Sequence, residues 1–387
     1  MSVRVNEPLA YILLYVTMYA AFGVSSPFWP KFFESKALSW QQIGFILSAG
    51  MLTRLTAGPV VATLADVSGA LRGALAACAA LAATVGTAFL ISKSFSSLLT
   101  IAMLQAATLA PMTSLADALA VNVAVPQVAG KPFEYGWVRG SASAAFVLGT
   151  LAVGQFVSRT NFSPMIWMNV ALLAATAATA SLLPHARQST SFASRSNRFH
   201  GVFRLFRIPR FRVVILVSAL VFGSHALHDA FAVIRWSDAG ISTSVISILW
   251  SEAVAAEVIV FVLVGPALVR KFGVRGAATL AASAGVARWS IASATTSVFL
   301  LAVLQPLHGL TFALLHLACM RSMAVHIPTH LSATAQAIYA LAAGVVTAAL
   351  TFWSGILYGW YGGASFLLMA VLCAVALPFA WFGLSDA

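Results

Sequence analysis

The sequence predicts an all-α membrane protein with twelve transmembrane helices in two six-helix bundles and with both termini in the cytoplasm. The composition, the number of long apolar runs and the place of one basic segment support this prediction. Hydrophobic residues make up 60% of the 387 residues, and charged residues make up only 8%. Soluble domains carry about 25% charged residues, because their surface needs polar cover. The composition therefore indicates that much of this chain faces lipid.

Twelve apolar runs are each long enough for a helix that crosses a membrane. A bilayer core of about 30 Å requires about 20 apolar residues in helical conformation. Most polar gaps between the runs are short, so no soluble domain is expected. The predicted spans are 8–30, 39–64, 71–92, 95–122, 135–158, 163–184, 211–234, 242–269, 275–295, 297–321, 330–357 and 361–383.

One long polar segment, 185–210, divides the chain into two sets of six predicted spans. It contains no acidic residue, and with the arginine just beyond it the segment provides seven arginines: Arg187, Arg195, Arg198, Arg204, Arg207, Arg210 and Arg212. We interpret it as a cytoplasmic linker between an N-terminal bundle, 1–184, and a C-terminal bundle, 211–387. A binding site for lipid headgroups or for a partner is the alternative interpretation.

The net charge of +12 comes mostly from basic residues in the predicted loops, so nucleic acid is not an expected partner. With both termini inside, the inner loops hold fourteen basic residues and the outer loops hold five. Cytoplasmic loops carry the excess of lysine and arginine in membrane proteins. The charge distribution therefore favours cytoplasmic termini. We expect a monomer surrounded by lipid in the inner membrane of a bacterium.

The two halves of the chain look like copies of one another. Parallel repeats are typical of transporters, and they place the substrate near the bilayer midplane. Chance similarity among apolar helices is the competing explanation. Three short patterns recur at a nearly constant offset: Leu38-Ser39 with Ile43 and Ser48 against Ile241-Ser242 with Ile246 and Ser251, Gly58-Pro59 against Gly265-Pro266, and Arg72-Gly73-Ala74 against Arg275-Gly276-Ala277.

The loop after the second predicted span resembles a signature of the major facilitator superfamily. The matching residues are Gly58-Pro59, Leu64-Ala65-Asp66, Gly69 and Arg72. The full signature has one more glycine and more basic residues than this loop. The resemblance implies that Asp66, Gly69 and Arg72 form a cytoplasmic gate, in which charges and a helix dipole hold one conformation. An ordinary tight turn is the alternative.

The start of the fifth predicted span, Phe133-Glu134-Tyr135-Gly136 followed by Arg139, resembles the family of lactose permease. Matches along nearly the whole chain resemble the branch of the superfamily that includes the 3-phenylpropionate permeases. They are Leu38-Ser39 with Ile43-Gly44, Leu64-Ala65-Asp66, Ala116-Asp117-Ala118-Leu119, Ala256-Glu257, His308-Gly309-Leu310-Thr311-Phe312 and Ala333-Thr334-Ala335-Gln336-Ala337.

This resemblance implies the major facilitator fold and proton-coupled uptake of a small organic solute, such as an aromatic carboxylate, by alternating access. Symport of a sugar or nucleoside and efflux by proton antiport are open alternatives. Outside transport, the alternatives are a membrane-embedded enzyme, a sensor or a channel. We expect no catalytic residue, cofactor or metal, because the sequence has no Gly-rich phosphate loop and no cluster with metal-ligand spacing.

Ionisable residues inside the predicted spans are candidates for function, because a charge there costs about 3 kcal/mol or more unless it is paired or hydrated. Asp117 and Arg139 are expected at one level near the cytoplasmic ends of the fourth and fifth spans. In lactose permease an acid and an arginine on these helices bind substrate, which implies the same role here. A structural ion pair is the alternative. The full set is Arg54, Asp117, Arg139, His225, His228, Asp229, Glu252, Glu257, Arg288, His308 and His316.

A second group of ionisable residues is expected near the midplane of the C-terminal half. Burial disfavours a charged carboxylate and a nearby arginine favours it, as a proton carrier requires. Lactose permease uses similar residues, but Thr311 stands here where that permease has a glutamate. Glu257 is therefore the expected proton carrier, with Glu252 as a second candidate for that role. A structural pair of Glu257 with Arg288 is the alternative. The group predicted for proton coupling is Glu257, Arg288, His308, His225 and Asp229, with the last two on one helix face.

Overall fold

The computed structural model describes residues 7–123, 135–158, 160–183 and 198–384. Every regular element within these ranges is helical, which confirms the all-α prediction. The helices before the basic segment are α1 Glu7–Ser25, α2 Trp29–Ser35, α3 Trp40–Ser68, α4 Leu71–Ile91, α5 Phe95–Leu109, α6 Met112–Val123, α7 Tyr135–Phe156 and α8 Ser163–Leu182.

The second half contains ten helices in the part of the chain that the structure describes. They are α9 Arg198–Phe206, α10 Pro209–Gly223, α11 Ala226–Asp238, α12 Thr243–Ile259, α13 Gly265–Ala294, α14 Val298–Leu304, α15 Leu307–Gly309, α16 Leu315–His326, α17 Ser332–Tyr361 and α18 Phe366–Gly383. Two π-helical turns, Val260–Val264 and Leu310–Leu314, follow α12 and α15.

Eight helical segments of the described chain are long and apolar enough to cross a membrane. The number is nine if Leu9–Ser25 and Trp29–Ser35, which meet at a bend of 46°, form one span. The least apolar of the eight still has a mean hydropathy of 1.4. These segments agree with a multi-pass membrane protein, whereas the number of twelve spans and the cytoplasmic termini stay predictions.

Besides the first span, which bends between α1 and α2, three spans that we predicted as continuous helices are broken. The fourth span breaks between α5 and α6 at Pro111, and the tenth breaks between α14 and α15 at Pro306. Proline lacks the N–H that an uninterrupted helix requires at this place. The seventh span breaks at Ser224 and His225, between α10 and α11. Broken helices expose backbone polar groups within the membrane, and transporters use them to build sites.

Two glycines end helical segments at related places in the two halves. Gly69 follows α3 with φ of 68°, and Gly273 interrupts α13 with φ of 67° and ψ of −175°. Residues with a Cβ rarely adopt these conformations, so glycine is needed at both places. Gly273 lies where the sequence predicts the loop between the spans 242–269 and 275–295.

The proposed repeat is supported by matching helix starts. Ser39 Oγ accepts the N–H of Gln42 at 3.3 Å just before α3, and Ser242 Oγ accepts the N–H of Val245 at 3.4 Å just before α12. A side-chain oxygen at this place satisfies a backbone donor that the helix leaves open. The isoleucine four residues after each serine is fully buried.

Two compact units make up the chain. The first contains Met1–Leu38, Ala49–Ser191 and Ser242–Ile248, and the second contains Ser39–Ser48, Phe192–Ile241 and Leu249–Ala387. In the first unit α1 packs against α7 and α8, and in the second α13 packs against α18. The boundaries of 1–184, 185–210 and 211–387 stay a prediction.

Candidate functional site

A polar cluster in the first unit contains both residues that we predicted to bind substrate. The Tyr15 hydroxyl on α1 donates to Asp117 Oδ1 on α6 at 2.5 Å. Arg139 on α7 donates from Nη1 to the Tyr19 hydroxyl oxygen at 2.7 Å. The same Nη1 lies 3.7 Å from Asp117 Oδ1. The structure therefore brings Asp117 and Arg139 together, while their role in binding stays a prediction.

Aromatic rings form one side of this cluster. The rings of Tyr15 and Tyr19 stack with centroids 5.9 Å apart and an interplanar angle of 9°. Arg139 Cζ lies 5.6 Å from the centroid of Tyr19, within cation–π range. The side chains of Arg139 and Asp117 are 47% and 41% exposed. The cluster can therefore offer charged groups and an aromatic face to one ligand.

The two tyrosines were absent from the sequence prediction, although the sequence contains a signal for them. Tyr11, Tyr15 and Tyr19 are spaced by four residues, so they lie close to one face of α1. Tyr11 contributes to the same face, since its hydroxyl donates to the carbonyl of Leu119 on α6 at 3.2 Å. Such a line of hydroxyls in an apolar helix indicates a polar neighbour.

The predicted gate residues surround the turn between α3 and α4. The backbone N–H of Gly69 donates to the carbonyl of Asp66 at 3.3 Å. Arg72 Nη1 donates to the carbonyl of Leu183 at 2.6 Å, just after the end of α8, where a cation suits the helix dipole. The gate itself stays a prediction. Phe133 and Glu134 of the motif before Arg139 lie outside the described residues.

A chain of contacts in the second unit connects Arg288 with Glu257 through His308. Arg288 Nη1 lies 3.1 Å from His308 Nδ1, and His308 Nε2 lies 3.3 Å from Glu257 Oε2. Arg288 is only 2% exposed, and it also donates from Nη2 to Gln305 Oε1 at 3.1 Å. Its Cζ lies 4.4 Å from the ring centroid of Trp289. The sequence prediction did not include Gln305 and Trp289, which hold this buried cation.

The position of His308 determines which of its nitrogens carries a proton. Arginine can only donate hydrogen bonds, so His308 Nδ1 must accept from Arg288. A neutral imidazole that accepts at Nδ1 has its proton on Nε2, which then donates to the Glu257 carboxylate. A doubly protonated ring would turn an N–H toward the guanidinium of Arg288. This contact therefore favours neutral His308, and the role of Glu257 as the proton carrier stays a prediction.

His225 belongs to the same network. Its Nδ1 lies 3.1 Å and 3.2 Å from the carbonyls of Val221 and Phe222, so this nitrogen donates. Its Nε2 lies 3.0 Å from Thr311 Oγ1, and the rings of His225 and His308 are 5.2 Å apart. Thr311 therefore connects the break before α11 to the π turn that follows α15.

Asp229 lies one helical turn after His225, since its backbone N–H donates to the His225 carbonyl at 2.9 Å, and the two side chains interact electrostatically. Its Oδ1 pairs with His228 Nδ1 at 3.1 Å, and its side chain is 56% exposed. His228 in turn stacks on Trp250 with centroids 5.3 Å apart. The two side chains therefore share a helix face as predicted but have different partners, Thr311 for His225 and His228 for Asp229.

Two π-helical turns lie next to the contact between Glu257 and His308. Val260–Val264 begins three residues after Glu257, and Leu310–Leu314 begins two residues after His308. The two turns contact one another. Single π turns inside α-helices occur often at functional sites. Hydrophobic pattern alone does not reveal them, because one inserted residue leaves an all-apolar run unchanged.

Comparison with known proteins gives the family. Residues 9–369 match the model of the MFS_1 like family. The probable 3-phenylpropionic acid transporter of Escherichia coli K12 is 32% identical over 367 residues, with 94% of each chain covered. The maltose permease of Geobacillus stearothermophilus is 25% identical over 369 residues, with 94% of this chain and 91% of that protein covered.

The fold is also that of a solved transporter. The crystal structure of the nucleoside transporter NupG matches with a TM-score of 0.86 at 15% identity, with 98% of this chain and 99% of that chain covered. These relatives are transporters rather than enzymes. The chain therefore belongs to the MFS_1 like family, and it is a membrane transporter of the major facilitator type.

Proposed function

We propose that this transporter takes up a small aromatic carboxylate together with protons, by alternating access across a bacterial inner membrane. The cluster of Arg139 and the stacked tyrosines is the observation that carries the choice of solute. A guanidinium can hold a carboxylate through two parallel hydrogen bonds. An aromatic ring beside that carboxylate can pack on Tyr15 and Tyr19, which stack 5.9 Å apart. Arg139 therefore suits the carboxylate end of an aryl carboxylate, and the two tyrosine rings suit its aromatic end.

The relative named as a probable 3-phenylpropionic acid transporter supports this proposal, at 32% identity over 367 residues. The contact between Glu257 and His308 supports proton coupling. A carboxylate that meets a neutral histidine can be protonated or ionised without losing that hydrogen bond. Burial opposes the ionised carboxylate, and a positive charge that comes close favours it. The balance between burial and this charge is what a proton carrier has to shift during its cycle.

Uptake of labelled 3-phenylpropionate into proteoliposomes tests the proposal. We expect an inward proton gradient to drive accumulation, and we expect 3-phenylpropionate added alone to draw protons inward. The neutral acid also crosses bilayers unaided, since only its charged form pays a large desolvation cost. Liposomes without protein, at a pH well above the pKa of the free acid, therefore give the background. Accumulation equal to that background would contradict the proposal.

Sugar symport is the second candidate, and exposure of Asp117 favours it. A carboxylate that is 41% exposed beside an arginine can accept hydrogen bonds from sugar hydroxyls. The similarity to a maltose permease supports the same class. Maltose and adenosine are therefore included in the uptake measurement. Accumulation of maltose but not of 3-phenylpropionate would replace the carboxylate proposal, and accumulation driven by an outward proton gradient would indicate antiport.

Gly309→Ala is expected to slow proton-coupled uptake by about tenfold, the effect of a change near 1.4 kcal/mol. A Cβ at Gly309 would lie 2.7 Å from the carbonyl oxygen of Ala256, so α12 and α15 must move apart. This movement separates His308 from Glu257. Gly50→Ala is the control, because its Cβ would meet only Ala106 at 3.8 Å. Equal uptake by the two variants would show that the close approach is not needed.

A further inference from the structure

His316 lies eight residues after His308, beyond the π turn Leu310–Leu314. In a regular α-helix eight residues end about 80° past two full turns, so the two side chains would diverge. A π turn takes up one extra residue, so the eight residues act as about seven and end close to the starting direction. The turn therefore places both histidines near one face, about 10 Å apart along the helix.

Glu257 interacts with both of these histidines. Its Oε2 is 3.3 Å from His308 Nε2, and it also interacts electrostatically with His316. Among the described residues, Glu257 is the charged group that acts on His316. The Tyr339 hydroxyl on α17 lies 3.1 Å from His316 Nδ1, and it hydrogen-bonds with the buried thiol of Cys319. The ring of Phe261 packs edge-on against His316 with centroids 5.7 Å apart.

We propose that His316 and Tyr339 form a second proton-binding site. This site takes the proton from Glu257 and releases it in the direction of Arg321, further along α16. This proposal rests on the proposed proton-coupled uptake. It gives the carrier an exit for the proton that is separate from the contact with His308 and Arg288.

The chemistry of His316 differs from that of His308. His308 has to accept from Arg288 at Nδ1, which opposes a second proton on that ring. At His316 Nδ1 the partner is a hydroxyl, whose oxygen can accept an N–H both before and after the ring gains a proton. The transfer breaks the O–H bond of Glu257 and forms an N–H bond at His316 Nε2. The imidazolium then loses that proton to water, which restores neutral His316 and leaves Glu257 ionised.

The test compares His316→Gln with wild type in proteoliposomes, using the solute of the panel that wild type accumulates. We expect gradient-driven uptake to fall on the order of 100-fold, as for the loss of a proton-transfer group. Counterflow, which exchanges solute without net proton movement, should stay within about twofold of wild type, because the ion pair of Arg139 and the solute site are untouched. His326→Gln on the same helix is the matched control, since His326 bonds only the carbonyl of Ser322 among its described partners.

The dependence on interior pH separates a proton site from a packing role. His316 has to be neutral to accept the proton, so acidification of the interior slows wild-type uptake within the range where imidazole titrates, about pH 5 to 8. Glutamine cannot be protonated there, so His316→Gln should lose this inhibition. Tyr339→Phe keeps the ring and removes the hydroxyl, and we expect it to reduce uptake less than His316→Gln while it shifts the inhibition to another pH.

The possible outcomes separate this proposal from the proposed function. If wild type moves no protons with any solute of the panel, proton-coupled uptake is wrong and this proposal is wrong with it. If wild type and His316→Gln take up solute equally and show the same interior pH dependence, only the second proton site is wrong. If His316→Gln does not insert, the decision rests on Tyr339→Phe, and a wild-type pH profile of that variant would overturn the proposal.

Discussion

Arg139→Ala is expected to reduce the affinity for 3-phenylpropionate roughly 100-fold, which abolishes uptake at micromolar solute. A charged hydrogen-bond pair contributes about 3 kcal/mol, and each 1.4 kcal/mol corresponds to a factor of ten. The variant should still fold, because the Arg139 side chain is 47% exposed rather than part of the core. Titration calorimetry of the purified variant measures the affinity. Arg207→Ala, in the basic segment, is the control for the loss of one positive charge.

Arg139→Lys decides whether the planar guanidinium matters. Lysine keeps the charge but presents a single ammonium, which cannot hold both carboxylate oxygens through parallel hydrogen bonds. We expect the affinity of Arg139→Lys to stay well below that of wild type. Tyr19→Phe removes the hydroxyl that Arg139 contacts at 2.7 Å but keeps the ring, so it should weaken binding less than Arg139→Lys does. Transport by Arg139→Lys at the wild-type rate would refute the two-bond role.

The sequence predicts the general architecture because long apolar runs leave few alternatives within a bilayer. It also predicts which charges belong together. Asp117 and Arg139 lie 3.7 Å apart, as their matching depth in two neighbouring spans suggested. The depth argument also places Glu257 and His308 at one level, and their side chains are 3.3 Å apart. Depth can be counted along a helix, so it can be read from a sequence.

The partners of these charges could not be predicted in the same way. Gln305, Thr311 and Tyr19 are uncharged, so burial in the membrane does not single them out from other polar residues of the spans. Their positions also depend on breaks and π turns, which rotate every later side chain around the helix axis. The π turn after α15 brings His316 toward His308. Regular spacing predicts the wrong face for His316.

The substitution Glu257→Gln distinguishes a role of Glu257 in carrying the proton from a purely structural role. Glutamine keeps an oxygen that can accept from His308 Nε2, so the contact now at 3.3 Å can persist. It imitates the protonated acid and cannot release a proton. We expect Glu257→Gln to bind and exchange solute at nearly the wild-type rate in counterflow. We expect it to accumulate no solute against a gradient, because no proton can leave.

If Glu257 only neutralises Arg288, the same substitution has a different result. Arg288 is 2% exposed, and removal of a countercharge from a buried arginine costs about 3 to 5 kcal/mol. Expression and counterflow would then fall together with accumulation. Both assays are therefore run on the same vesicles, with Glu34→Gln as the control acid, since Glu34 pairs with Lys31 in α2 of the first unit. Normal gradient-driven accumulation by Glu257→Gln would exclude Glu257 as the proton carrier and would direct the search to Glu252 and Asp229.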